Sequence, residues 1–168
     1  MAIAATESSF DVALWFVERA RLEDGYLQAQ KLQRLLWRAQ GQYARAYHGR
    51  KLMPTVFIAD EFGPLEPNVY RAFELGRPEI PDVRLPVEVE DFLIRIWGRF
   101  GHHATEHLNT MVRGHTVFQD ALDKGVGEEI TFEKIAEYFQ TEIANRDTSE
   151  VRAADGRVWK KWSPRKVK

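Results

Sequence analysis

Apolar residues in the first third of the chain recur at helical spacing and predict two helices. Ser8 or Ser9 can cap the first, over about residues 10–22, which is apolar on more than one side and should be well buried. The second has the clearest apolar stripe, at spacings of three and four, made of Leu32, Leu35, Leu36, Ala39, Tyr43, Ala46 and Tyr47. Polar residues take its other side, namely Lys31, Arg34, Arg38, Gln42 and Arg45. Trp37 lies off the stripe, so it either packs on a flank or is exposed.

The period changes after Pro54. Residues 55–59 are short, apolar and β-branched, which is typical of a strand. Phe62-Gly63-Pro64 predicts a sharp turn, because the residue before proline is pushed out of the helical region and glycine tolerates this most easily. A short helix over about residues 67–75 should follow, with Pro67 in its first turn.

The second half of the chain predicts four further helices, over about residues 87–98, 104–112, 117–124 and 132–144. Residues 146–168 are polar and charged and lack apolar periodicity, which is typical of a weakly ordered segment. The fold class is therefore mainly α: a compact bundle of about six to seven helices with a short β element near residues 55–60. We expect a helical domain over residues 1–145 and a basic, flexible tail over residues 146–168.

Composition narrows the class of protein. A length of 168 residues suits one domain, and the absence of cysteine excludes disulfides, thiolate zinc sites and a cysteine nucleophile. Residues 152–168 contain seven basic residues and one acidic residue, so the rest of the chain carries a net charge of −7 out of a total of −1. An acidic body argues against a nucleic-acid-binding core, because phosphate contacts supply most of that affinity.

Targeting signals are also absent from the pattern. The first ten residues have neither a basic region nor an apolar stretch of the secretory kind. No apolar run approaches the roughly 20 residues that span a bilayer. These features predict a cytoplasmic protein that does not enter membranes.

The histidines are the main candidates for catalysis. His103 and His107 stand in an H-x-x-E-H pattern, which on a helix can bind one metal ion from one face, with Glu106 as a base. This pattern supports a small metal-dependent hydrolase as an alternative function. A position at the start of a helix and the lack of an obvious third ligand favour solvated histidines instead. His115, between two short helices, is more typical of a structural histidine, so we predict neither enzyme nor metal nor cofactor.

The basic tail has three possible roles. Trp159, Lys160, Lys161 and Trp162 could dock on a protein, or contact nucleic acid through charge and stacking. A solubilising tail is the third interpretation, although exposed indoles are unusual in a purely solvating segment. A DNA-binding regulator that acts through this tail is therefore a further alternative function.

Several segments together resemble a known family. Residues 31–41, KLQRLLWRAQG, are similar to the K-L-Q-K-L-L-Y-Y-A-Q-G helix of the SocA-like (phage-associated GepA-like) Panacea antitoxin domain. Residues 60–70, DEFGPLEPNVY, resemble that family's A-W-x-Y-G-P-V-x-P-x-V-Y segment in the same order and at a similar separation. Residues 108–121, which include His115, and residues 129–139 resemble two later segments, although Gly114 stands where threonine is usual.

This resemblance implies an antitoxin that binds and neutralises a cognate protein toxin. In the SocA branch the antitoxin is also a proteolytic adaptor that delivers the toxin to the ClpXP protease, with the ClpX unfoldase as a partner. The aromatic residues proposed to contact the partner are Trp37, Phe62, Tyr70 and Phe118. The tail residues Trp159, Lys160, Lys161 and Trp162 are proposed to dock on the protease or partner.

Overall fold

A computed structural model describes residues 3–146, 151–152 and 158–159, with side chains over residues 3–142. The described chain is 59% helical, so the predicted mainly α fold is confirmed. Its helices are α1 (Ser9–Leu22), α2 (Ala29–Ala46), α3 (Pro67–Phe73), α4 (Val87–Ile96), α5 (Thr105–Arg113), α6 (Thr116–Lys124) and α7 (Phe132–Arg146). A five-residue π-helical turn, Trp97–Gly101, extends α4. None of these helices has the length and apolar character that crossing a bilayer would require in the described part of the chain.

Local side-chain chemistry sets two of the helix starts. The hydroxyl of Ser8 accepts a hydrogen bond from the backbone N–H of Phe10 at 3.1 Å and so caps α1. Glu66 caps α3, and Pro67 occupies the first turn, where a missing N–H leaves no intrahelical bond unmade.

Helix α2 passes through the middle of the molecule and is covered on every side. It contacts α1, α3, α4, α5, α7 and strand β2 (Gly63–Leu65), and residues 32–44 are all buried. Its polar side is therefore not a solvent face: Arg34, Arg38 and Gln42 are buried as well as the apolar stripe. The sequence pattern reports only which residues are polar, whereas burial here depends on partners that lie far away in the chain.

A small sheet packs against this helix. Strand β1 (Phe57–Asp60) lies in the centre, between β2 and β3 (Glu129–Ile130), and both pairings are antiparallel. Asp60 pairs with Gly63 across the β1–β2 hairpin, and Phe57 pairs with Ile130 on the other side. The predicted strand is thus present, but the predicted turn at Phe62-Gly63-Pro64 already includes the first residues of β2. Strand β3 was not predicted, because two residues are too short to show a period.

Part of the predicted tail forms a second antiparallel pair, β4 (Val151–Arg152) with β5 (Val158–Trp159). Lys160, Lys161 and Trp162 lie outside the described residues, as does the side chain of Trp159. The docking role assigned to these four residues remains a prediction from the sequence.

The packing of α2 against α7 predicts how one substitution should change stability. A Cβ added to Gly41 of α2 would lie 2.2 Å from the ring of Phe139 in α7, and that ring is fully buried. We expect Gly41→Ala to lower the free energy of unfolding in urea by about 1–3 kcal/mol, because the ring cannot withdraw without displacing its neighbours. Gly98→Ala is the control, since the added methyl group would have no atom within 4 Å other than those of its chain neighbours and its own helix backbone. Equal effects of the two substitutions would contradict this account of the packing.

Candidate partner-binding surface

The Arg34 side chain joins α2 to the β1–β2 hairpin. Arg34 as a whole residue is only 2% exposed, and its guanidinium donates three hydrogen bonds: to Asn109 Oδ1 (2.8 Å), the Pro64 carbonyl (2.9 Å) and the Phe62 carbonyl (2.6 Å). No carboxylate of the described residues forms a salt bridge with it, although the charge of Asp60 is close enough to favour the cation. Burial lowers the pKa of Arg34 to about 10. Neutral oxygens therefore replace the water that a buried cation has lost.

Gly63 makes this contact possible. Its φ of +141° is a conformation that side chains rarely adopt, and an added Cβ would lie 2.6 Å from the guanidinium carbon of Arg34. The neighbouring Gln33 holds the other end of β2, where its Oε1 accepts from the backbone N–H of Glu66 at 2.7 Å. Two consecutive side chains of α2 thus occupy the outer edge of β2 and protect it from pairing with another strand.

Glu66 is a buried carboxylate at the start of α3. Its side chain accepts hydrogen bonds from the backbone N–H of Val69 and, at 3.5 Å, from the amide of Asn68. Burial raises the pKa of Glu66, while the bonds from Val69 and Asn68 act in the opposite direction. The residue therefore caps α3 at the cost of removing a charge from water.

The locked hairpin exposes an aromatic side chain. Phe62 lies in the two-residue connection between β1 and β2, and 54% of its surface is exposed although its carbonyl is bonded to Arg34. Val126, 64% exposed, lies at the same end of the sheet, because the adjacent Gly127 N–H donates to the Ala59 carbonyl at 2.8 Å. We call Glu61, Phe62 and Val126 the hairpin end. Exposed aromatic side chains are enriched in protein interfaces, where they act as anchors.

An open groove of about 680 Å³ runs between α6, β3 and α7, and two of its residues, Lys124 and Glu128, flank the turn that carries Val126. Its apolar lining consists of Val117, Ala121, Ile130 and Tyr138. Charged side chains line the rest: Asp120, Asp123, Glu128, Glu129 and Glu137, with Lys124 and Lys134. The groove therefore has apolar surface surrounded by an excess of carboxylates.

The structure separates the four aromatic residues that were predicted to bind a partner. Phe62 is exposed and Tyr70 of α3 is half-buried. Trp37 is fully buried and Phe118 is buried in α6, so neither side chain belongs to the surface. Trp37 is buried although it lies off the apolar stripe, because neighbouring elements cover α2 on every side.

The histidines are likewise distributed between core and surface. His115 is buried, and its Nδ1 accepts a hydrogen bond from the indole N–H of Trp37 at 3.1 Å. His103 and His107 are exposed, with ring centroids 4.7 Å apart. Within the described residues no group of three or more metal-binding side chains comes together. His102 does not join the pair, because its Nε2 lies 2.8 Å from the carboxylate of Glu23.

Reasoning from the sequence missed the residues that build the hairpin end. Arg34, Gln33 and Glu66 carry polar groups in the buried interface, and no periodic pattern marks them as such. Only the resemblance pointed to both segments, since Arg34 lies in the first and Gly63 in the second. The two segments, residues 31–41 and 60–70, are thus in direct contact.

Comparison with known proteins identifies no relative. No protein-family model matches the chain, no curated protein matches it, and no solved structure matches it. The function must therefore be inferred from the residues and their arrangement.

The buried guanidinium can be tested with Arg34→Lys. An ammonium group cannot reach three acceptors in the geometry of a guanidinium, so carbonyl or amide oxygens lose their donor. We expect the free energy of unfolding, measured in urea, to fall by about 2–4 kcal/mol. Arg84→Lys at an exposed position should change it by less than about 0.5 kcal/mol. Similar small effects at both positions would show that the three hydrogen bonds contribute little.

The raised pKa of Glu66 predicts a pH-dependent difference between wild type and Glu66→Gln. Glu66 binds a proton more tightly in the native state than in the unfolded chain, so protonation of Glu66 stabilises the fold. This contribution is fully present below the pKa that Glu66 has in the unfolded chain. It is lost as pH rises through the folded pKa. Glutamine keeps an acceptor oxygen without a charge, so the variant should be the more stable protein at pH 7.5.

This advantage of Glu66→Gln should shrink as the pH falls to 4.5, in urea unfolding at the two pH values. Glu66→Ala distinguishes the effect of the helix cap from the effect of the charge. Alanine removes both, whereas glutamine removes only the charge, so Glu66→Ala should be less stable than Glu66→Gln at both pH values. A glutamine advantage that stays constant between pH 7.5 and 4.5 would be inconsistent with the raised pKa.

Proposed function

We propose that this protein is an antitoxin that neutralises a protein toxin by direct contact through the hairpin end. The observation that supports this most strongly is the set of hydrogen bonds from Arg34 to the backbone of Phe62 and Pro64. These bonds join the two segments that resemble the Panacea domain, and they fix the backbone that carries the exposed Phe62 side chain.

The energetics of this contact favour a role in binding. Burying a cation that has no salt bridge in the described residues is costly, and the three hydrogen bonds of Arg34 must offset that cost. What the bonds achieve is a hairpin whose tip holds Phe62 in a defined place. An aromatic anchor on a preordered backbone loses less conformational entropy when it enters a partner's pocket, so more of the contact energy contributes to affinity.

Delivery of the bound toxin to the ClpXP protease is the second part of the proposal. An adaptor needs one surface for its cargo and another for the unfoldase. The hairpin end would bind the toxin, and the basic segment around Trp159 to Trp162 would dock on ClpX. Tethering the toxin beside the unfoldase raises its effective concentration, so a weak docking contact is sufficient.

The alternatives have less support. The hydrolase hypothesis depends on His103 and His107, which have no third ligand among the described residues. The DNA-binding hypothesis depends on a basic segment attached to a body with a net charge of −7. Neither hypothesis accounts for the hydrogen bonds from Arg34 to the hairpin.

Growth of the native cells tests the antitoxin proposal even while the toxin itself is unidentified. Depletion of the protein should stop growth, and wild-type protein supplied from a second copy should restore it. Phe62→Asp should fail to restore growth, because a carboxylate cannot enter an apolar pocket of the partner without losing its hydration.

Leu75→Asp is the matched control, since Leu75 is a fully exposed apolar residue away from the hairpin end, and it should restore growth. The two variants should unfold at the same urea concentration. Restoration by Phe62→Asp, or normal growth after depletion, would refute the proposal. Repeating the assay in cells without ClpX separates the two modes of action, because delivery requires the unfoldase and inhibition by contact does not.

A further inference from the structure

The groove between α6, β3 and α7 has the dimensions of a binding site. Its volume of about 680 Å³ lies within the range of about 300–1,000 Å³ that is typical of ligand sites. The walls come from three elements whose main-chain positions are fixed by the core: Phe118, Ile130 and Phe139 anchor α6, β3 and α7 in turn. The groove is therefore a feature of the fold and not of a single loop.

Charge distinguishes this groove from an ordinary surface depression. Five carboxylates and two lysines line it. One of the lysines, Lys124, already pairs with Glu128 at 3.7 Å. Asp120, Asp123 and Glu137 are exposed, and no basic side chain of the described residues forms a salt bridge with them. These three carboxylates are therefore available to pair with a cationic partner.

Apolar surface runs between these carboxylates. Val117 of α6 and Tyr138 of α7 are half-buried, and Ile130 of β3 closes the inner wall. A partner that fills the groove must therefore bring apolar side chains on one face and cationic groups on the other. A short extended peptide in which basic and apolar residues alternate presents its side chains in this way.

We propose that the groove binds a basic, extended segment of the toxin. This inference rests on the proposed antitoxin function, because the groove adjoins the hairpin end through the turn that carries Val126. Two observations support a basic occupant: the surplus of carboxylates in the groove, and the net charge of −7 on residues 1–151. A field of this sign speeds the approach of a cationic partner, and the groove provides the place where apolar contact can add to it.

The test uses the full-length protein and a fluorescein-labelled decapeptide of alternating lysine and valine, followed by fluorescence anisotropy. Wild type should bind the peptide, and the affinity should fall as salt rises from 50 to 300 mM. The double variant Asp120→Asn/Glu137→Gln should bind about tenfold more weakly. Thr141→Trp should also weaken binding, because an indole on exposed Thr141 fills the groove without changing the charge.

The matched control is Glu79→Gln/Asp91→Asn, which removes the same charge from exposed positions outside the groove. It should change the affinity by less than about twofold, since distant exposed charges are screened. Equal losses in the two double variants would overturn the proposal in favour of a general effect of net charge. Absence of binding by wild type at 50 mM salt would overturn it as well.

The chain's own basic residues are a competing occupant. If wild-type binding is weak and rises when Lys160, Lys161, Arg165 and Lys166 are replaced by serine, the groove belongs to that segment and the proposal of a toxin ligand is wrong. The growth assay with Phe62→Asp does not involve the peptide. If the groove does not bind the peptide, the proposed antitoxin function can therefore still be tested by the growth assay.

Discussion

The structure depends on a buried cation that neutral oxygens stabilise. Arg34 lies in the most buried helix of the described chain, and each of its three guanidinium nitrogens donates to an oxygen of α5 or the hairpin. A lysine would have one charge centre and no planar fork, and an apolar residue would leave three acceptors without a donor. The backbone of the hairpin depends on this requirement at two residues: Gly63 has a positive φ that leaves room for the guanidinium, and the Phe62 carbonyl points towards it.

Two other buried polar side chains of α2, Gln40 and Arg38, also contact segments outside the helix. Gln40 both donates to the Met53 carbonyl and accepts from the Met53 N–H, which fixes the chain after the helix. The guanidinium of Arg38 lies 5.0 Å from the centre of the Phe100 ring and 4.0 Å from the carboxylate of Glu142. Because both hydrogen bonds of Gln40 go to one residue, Met53, that contact selects one arrangement of the chain after α2 in addition to stabilising it.

This dependence on distant partners explains what the sequence could and could not predict. Helix positions and the β1 strand were predictable because apolar spacing is local, as the stripe from Leu32 to Tyr43 illustrates. The burial of Arg34 could not be predicted, because nothing near it in sequence indicates that it will bond to Asn109 and the hairpin carbonyls. Trp37 and Phe62 show the same limit for the site: both are large aromatic residues, and only the surrounding elements decide that the first is core and the second is surface.

The position of the sheet relates the core to the two proposed binding features. Strand β1 pairs on one side with β2, whose outer edge is held by Arg34 and Gln33, and on the other side with β3, which forms a wall of the groove. The hairpin end and the groove are thus built on the two flanks of one short strand. Since β1 cannot shift without breaking both pairings, a partner that contacts Phe62 meets the groove at a fixed distance and orientation. A rigid spacing of this kind lets two modest contacts act together, because the second forms without a further loss of freedom.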